Sequence, residues 1–352
     1  MYKLIILIIL FLVIFKKREQ FTQSNDIKIL VDNFEYKIIA ESNKKPLNNS
    51  INYHSNPDGA GVIKSNNGGW FYLSNCESLN GGVGSIEFNS KGELINYEMV
   101  LENTIRNCAG GVTPWNTWLS CEEYDNGIVW ECDPNTKEIK KHIGMGVFSH
   151  EAAAVDPKTN IIYLTEDDTY GLIYRYLPSG VLEAACYGIN DKVTWKKIDP
   201  SIKPNKYQVK DGIKNNKWEG CAYHPEGFIY FVESSKGIYR YNIEENTLKL
   251  FYKSESISSS PEKLNSPDNI AITPNGNLIV SEDPGYNEYL ELWIINHNDK
   301  SSYPFLRVYN HNSSELTGMA FSPDNKRMYF SSQRGNNGNG ITYEVNGDFS
   351  QI

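Results

Sequence analysis

The chain has 352 residues, 40% hydrophobic and 12% aromatic, and a net charge of −9. That balance excludes a disordered chain, and the acidic charge argues against a nucleic-acid partner, whose phosphates call for a basic surface. An acidic protein that handles anions needs cations in its site, and metal ions are the obvious supply.

From the N-terminus, Leu4 to Phe15 form an unbroken apolar run between Lys3 and the Lys16-Lys17-Arg18 cluster. A helix of that length rises about 18 Å, short of the roughly 30 Å hydrocarbon layer of a bilayer. The run reads as the core of a signal peptide or, since no small-residue cleavage pattern follows, as a short anchor. Residues 1–25 are therefore set apart from the fold. The protein is expected outside the cytoplasm, secreted or tethered through residues 4–15.

Short strands read next at 27–32 and 36–41, and six related units follow, opening at Asp58, Cys108, Glu151, Glu219, Asp268 and Thr317. The last four share a template. A polar residue precedes a short apolar strand, and Pro157, Pro225, Pro274 or Pro323 opens a turn. A second apolar strand ends in polar residues, and a third follows at 171–176, 237–242, 290–295 or 340–345. The first two units fit more loosely. One such sheet cannot bury both faces, but six around an axis can. The reading is all-β: a six-bladed β-propeller forming a single domain over 26–352. The last unit supplies only three strands before Ile352. An early strand is expected to pair into that blade as its outer strand and close the ring, removing an exposed edge. The stretches 186–217 and 254–266 read as loops. The cysteines (Cys76, Cys108, Cys121, Cys132, Cys186 and Cys221) show no CxxC spacing, so they read as small buried residues or as disulfide partners of unknown pairing.

In a blade the start of the first strand and the end of the second lie on the same face, because the two are antiparallel. Those positions carry Asp58, Cys108, His150, Glu151, Glu219, Asp268, Asn269, Glu315 and Thr317 on one side. On the other they carry Glu77, Glu122, Glu123, Glu166, Asp167, Asp168, Glu233, Glu282, Asp283 and Gln333. About a dozen carboxylates thus aim at one mouth, and like charges at that spacing repel by several kcal/mol unless protons or cations neutralise them. Some of these acids can equally cap turns or face solvent. Oxygen donors in this number suit Ca²⁺ or Fe³⁺, and a thiolate biases one position toward a transition metal. His150 could orient Glu151, whereas His54, His142, His224, His297 and His311 lack ligand spacing and read as surface residues. No GxSxG elbow, P-loop or dinucleotide fingerprint is present.

Several blocks together resemble the PhoX family of alkaline phosphatases. They are NCAGGVTPW at 107–115, TWLSCEE at 117–123, SHEAAAVDP at 149–157, YLTEDD at 163–168 and WEG at 218–220. Further matches are PDN at 267–269, SED at 281–283, ELTG at 315–318 and FSSQRG at 330–335. They run in order from about 55 to 349. The resemblance implies a calcium-dependent phosphomonoesterase acting on small phosphate esters, with Fe³⁺ and Ca²⁺ joined by an oxo group in the propeller mouth. It implies iron ligation by Cys108, Glu151 and Glu219. The remaining ligands would be drawn from Glu122, Glu123, Glu166, Asp167, Asp268, Glu282 and Asp283. Catalysis would rest on Lys217, Glu219 and Cys108, in a monomer. Longer members place Arg where this chain has Lys217, and Lys lacks the bidentate fork of a guanidinium. Arg334 and Arg175 read as structural or surface cations. Two other readings fit a six-bladed propeller: a lactonase-type hydrolase with one calcium, and a non-catalytic module that binds a partner across its face.

Overall fold

Six antiparallel sheets of four or five strands make up this computed structural model, which describes residues 26–203, 207–254, 263–285 and 287–352. The apolar run at 4–15, read as signal or anchor, lies outside the described residues. The innermost strands of blades 1 to 6 are Pro57–Lys64, Asn107–Val112, His150–Val155, Trp218–His224, Pro267–Ile272 and Leu316–Phe321. Each pairs with the strand that follows it: Trp70–Cys76, Trp118–Glu122, Ile162–Glu166, Phe228–Glu233, Leu278–Glu282 and Arg327–Ser332.

The second strands are buried almost throughout, because both faces of each blade are covered by its neighbours. Six apolar clusters form the core among the described residues, one in each gap between adjacent blades. One of them seats blade 6 on blade 1 through Tyr329, Tyr72, Phe88 and Trp70. There Tyr329 stacks on Phe88 with ring centroids 5.0 Å apart.

The N-terminal segment serves two blades. Glu35–Glu41 pairs with Ile341–Asn346 and supplies the outer strand of blade 6. Ile27–Ile29 pairs with Ser302–Tyr309 and adds a fifth strand to blade 5, which the sequence did not suggest. The stretch 186–217 is not wholly loop either. Val193–Lys197 forms a fifth strand on blade 3, where Trp195 packs against Tyr241 of blade 4 and under Arg175. Asn215–Asn216 then pairs with Thr169–Gly171 in a small ribbon that leads the chain into blade 4. Of the stretch 254–266, residues 255–262 lie outside the described residues.

All six cysteines are free thiols. Four histidines expected at the surface are instead buried: His54, His224, His297 and His311. Burial is possible because their rings find partners inside. His54 meets the Tyr97 hydroxyl at 2.9 Å, His311 the Ser332 hydroxyl at 2.8 Å, and His224 stacks on His297. His142 is partly buried and bonds Glu131 at 2.7 Å.

Candidate metal centre

In all six blades the register between the first two strands slips near the start of the inner strand. A bulge of this kind re-aims the side chain it carries. The residue it re-aims is the one after the first of each inner strand: Asp58, Cys108, Glu151, Glu219, Asp268 and Thr317. These are the unit-opening residues of the sequence repeat. Their successors are mostly Gly or Ala, because adjacent inner strands approach closely. A Cβ added to Gly59 would lie 2.4 Å from the Ala109 Cα.

The six form an inner ring, and its members on blades 6, 1, 2 and 3 touch across blade boundaries. The Thr317 hydroxyl donates to Asp58 Oδ1 at 2.7 Å. The Cys108 thiol donates to Glu151 Oε1 at 3.2 Å and reaches Asp58 Oδ2 at 3.7 Å. An outer ring lies one residue beyond the second strands: Glu77, Glu123, Asp167, Ser234, Asp283 and Gln333. It carries carboxylates in all blades but two. In blade 6 the Gln333 amide donates to Asp58 Oδ2 at 2.5 Å and to Glu77 Oε2 at 2.8 Å.

Three donor groups with ligand atoms within 4.8 Å of one another result: Cys108, Glu123 and Glu151; Glu151, Asp167 and Glu219; and Asp58, Glu77 and Glu315. Glu151 belongs to the first two, so two adjacent cation positions can share one carboxylate. This fits a multinuclear cluster better than a single ion. Asp268 and Asp283 continue the ring beside Glu219.

Three expected ligands are not part of it. Each acidic pair at a second-strand end splits, because successive strand residues point to opposite faces. Glu122, Glu166 and Glu282 turn into their own blades, while Glu123, Asp167 and Asp283 face the mouth. Glu122 accepts the Ile105 and Ile128 amides at 3.0 and 3.1 Å. Glu166 accepts the Leu172 amide at 3.0 Å and the Tyr174 hydroxyl at 2.6 Å, and Glu282 accepts the Asn265 amide at 2.8 Å. They hold loops. Conversely, Asp58, Glu77 and Glu315 form a donor group beyond the expected ligand set, with Asp58 and Glu77 in the register of Cys108 and Glu123. His150 does not orient Glu151. Its ring stacks on Phe148 and its Nε2 lies 3.2 Å from the Gly146 carbonyl.

Without cations the mouth is electrostatically strained. Burial, reinforced by neighbouring carboxylates, pushes Glu151, Asp268 and Glu315 above the usual carboxyl range, and burial alone raises Asp58 against its bonds from Thr317, Gln333 and Gly59. Burial and Asp58 push Glu77 up to about 7, and burial with Glu77 and Asp167 pushes Glu123 up to about 9. Burial and Asp167 push Glu219 up to about 8 despite Lys217. The Cys108 thiol is pushed up by burial and by Asp58 and Glu151. A donor set of this charge and density fits cations.

A third tier precedes the inner strands: Asn56, Arg106, Ser149, Lys217, Ser266 and Glu315. In five blades the carbonyl of this residue accepts the amide of its outer-ring neighbour, as Arg106 does from Glu123 at 2.8 Å. Asn56, Arg106, Lys217 and Ser266 have φ of 45°, 47°, 66° and 43°, a turn that long side chains seldom adopt. Lys217 Nζ lies 3.0 Å from Asp167 Oδ2. Burial works against its charge, but Asp167 and Glu219 hold its proton more firmly than usual. Beside it a recess of about 370 Å³ runs past Ser234, Asn265 and Ser266 to Asp268 and Asp283. Arg334 bonds Glu315 at 2.9 Å and braces Gln333, so it is a structural member of the mouth. Arg175 lies away from it, paired with Glu183 at 2.6 Å. Below the mouth a channel of about 490 Å³ is walled by small and apolar inner-strand residues such as Gly61, Gly111 and Ala153.

The family model for alkaline phosphatase PhoX matches residues 81–194 and 226–335. No curated protein sequence gives a significant match. Among solved structures the chain resembles Pseudomonas fluorescens PhoX in complex with vanadate, a transition state analogue. The TM-score is 0.75 at 13% identity over 92% of this chain and 96% of that one. A gluconolactonase from Xanthomonas campestris gives a TM-score of 0.58 at 10% identity, covering 92% and 96%. A chain of a nidogen/laminin complex gives 0.51 at 9%, covering 82% and 97%. At these identities the likenesses speak to the fold, which hosts both enzymes and binding modules.

Proposed function

The chain belongs to the PhoX family of alkaline phosphatases, metal-dependent phosphoric ester hydrolases, and from that premise we propose that it hydrolyses phosphate monoesters with iron and calcium held in the propeller mouth. The observation that carries this reading is Glu151, shared between two adjacent donor groups, one of which includes the Cys108 thiol.

Cys108, Glu151 and Glu219 suit iron, Cys108 as the one sulfur donor of the inner ring. The oxygen-only groups around Asp58, Glu77, Glu315, Asp268 and Asp283 suit calcium. Cations held there would supply positive charge to the phosphoryl oxygens and to the leaving oxygen. Lys217 adds a positive charge at the rim for the phosphoryl oxygens, and Asp167 positions its ammonium. The recess beside Lys217 leaves room for the alcohol part of the ester. The ester's phosphorus–oxygen bond breaks as a water oxygen bonds to phosphorus, and a proton given up by that water leaves with the alkoxide as the alcohol. Vanadate, bound by the P. fluorescens protein, is expected to inhibit this one. The same reading includes a monomer acting outside the cytoplasm, secreted or tethered through residues 4–15.

The test is hydrolysis of p-nitrophenyl phosphate by the purified protein. Activity is expected to fall on chelation and return with calcium. Activity indifferent to chelators would overturn the metal role. Calcium without iron, together with turnover of a sugar lactone, would favour a lactonase-type hydrolase.

A further inference from the structure

We infer that Arg106 is a second phosphoryl-binding residue, gripping the ester from the blade 2 side of the mouth while Lys217 grips it from blade 4. The inference rests on the phosphatase reading and adds a residue to it.

The argument begins with the repeat. Arg106 and Lys217 occupy the same position in their blades, the residue immediately before the inner strand. Both have a left-handed backbone, at φ 47° and 66°. They are the only cations among the six residues of this tier. The two donor groups that share Glu151 form an arc from Cys108 on blade 2, through Glu151 and Asp167 on blade 3, to Glu219 on blade 4. Arg106 stands two residues before the first end of that arc, and Lys217 two residues before the other. An oxyanion seated over the arc is flanked by both.

Arg106 is also placed to act. Its backbone is pinned between blades: its amide donates to the Ser78 carbonyl at 2.7 Å and its carbonyl accepts the Glu123 amide at 2.8 Å. These bonds tie it to the loops that carry Glu77 and Glu123. Its side chain is exposed, and its charge is felt by Glu77 of the outer ring, which it helps to keep ionised. Its guanidinium makes no hydrogen bond among the described residues. Arg334 differs, since its guanidinium is committed to Glu315, Gln333 and the Ser313 carbonyl. The left-handed backbone costs free energy at a non-glycine residue, and here it holds a guanidinium whose fork is left open beside the carboxylate rings. Its fork also supplies the bidentate oxyanion geometry that Lys217 lacks.

The test compares wild type, Arg106→Asn and Arg106→Lys, all loaded with iron and calcium. Asn suits the left-handed turn and already stands at this position in blade 1, as Asn56. Arg106→Asn is expected to raise KM for p-nitrophenyl phosphate and Ki for inorganic phosphate by about 10- to 100-fold, the range of a lost charge-assisted hydrogen bond. Bound metal should be unchanged, and Arg106→Lys should recover part of the loss. KM and Ki within twofold of wild type in Arg106→Asn would overturn the inference, as would parallel loss of metal, which marks a structural role. If wild type itself hydrolyses no phosphate ester, the phosphatase reading has failed. Phosphate binding by calorimetry then decides Arg106 separately: affinity lost in Arg106→Asn supports it, and affinity unchanged removes it.

Discussion

Cys108 of blade 2 and Glu151 of blade 3 meet at 3.2 Å across a blade boundary, each displayed by the same bulge in its own inner strand. A thiol held against a buried carboxylate gains little as a neutral pair, because the shared environment resists ionisation of both. As neighbouring ligands of one cation, both would ionise.

Replacing Cys108 with Ala should therefore remove a transition metal and activity together. We expect bound iron to fall below half and kcat/KM to fall at least 100-fold, with a melting temperature in the metal-free state within a few degrees of wild type. Elemental analysis beside the kinetic assay checks this. Retained iron with lost activity would place the thiol elsewhere in the chemistry.

The raised carboxyls give the metal-free protein a definite pH response. Glu77, Glu219 and Glu123 sit at about 7, 8 and 9 in the folded state, above the ordinary carboxyl range of about 4 in the unfolded chain. The folded form thus binds more protons than the unfolded form between those limits, and stability falls as pH rises. It is full below about 4 and lost progressively up to about 9. Thermal melts of chelated protein from pH 5 to 9 should show a steady decline, and adding metal should flatten it.

The split acidic pairs separate structural from ligating carboxylates. Glu166→Gln weakens buried bonds to the Leu172 amide and the Tyr174 hydroxyl, so we expect about 1–3 kcal/mol of lost stability with the metal count intact. Asp167→Asn should do the reverse, lowering bound metal at little cost in stability. Denaturant titrations and metal analysis on the two variants check the contrast.

Lys217→Ala should lower kcat/KM for phosphate esters by about 10- to 100-fold, as expected for a charge-assisted contact to phosphate. Lys217→Arg should keep or raise it, because the fork restores bidentate geometry. Steady-state kinetics decides between this role and a mere counter-charge to Asp167, for which Arg and Lys would be equal and phosphate inhibition unchanged.

The propeller and its mouth were legible because the repeat is written in polar residues at fixed offsets from apolar strands. Cys108, Glu151 and Glu219 open their units in register, and the structure seats them side by side. The divided roles of Glu122 and Glu123 were less legible. Strand alternation dictates that they part, but which of the two faces the mouth depends on the bulge, and bulges leave little trace in sequence. Arg106 is not legible from sequence, because its meaning lies in its equivalence to Lys217, set by where the two inner strands begin. The buried histidines were misread because their partners, such as Tyr97 for His54 and Ser332 for His311, are distant in sequence. The strand at 27–29 is legible, but its pairing with blade 5 is not, for the same reason: the residues it joins are distant in sequence.

The claim beneath all of this is that the anionic ring exists to hold metal. Elemental analysis of the purified chain, repeated after chelation and reloading, tests it most directly. The account predicts several ions per chain, iron and calcium together, with a higher melting temperature when they are bound. A preparation free of both metals, whose melting temperature is unmoved by adding either, would contradict it.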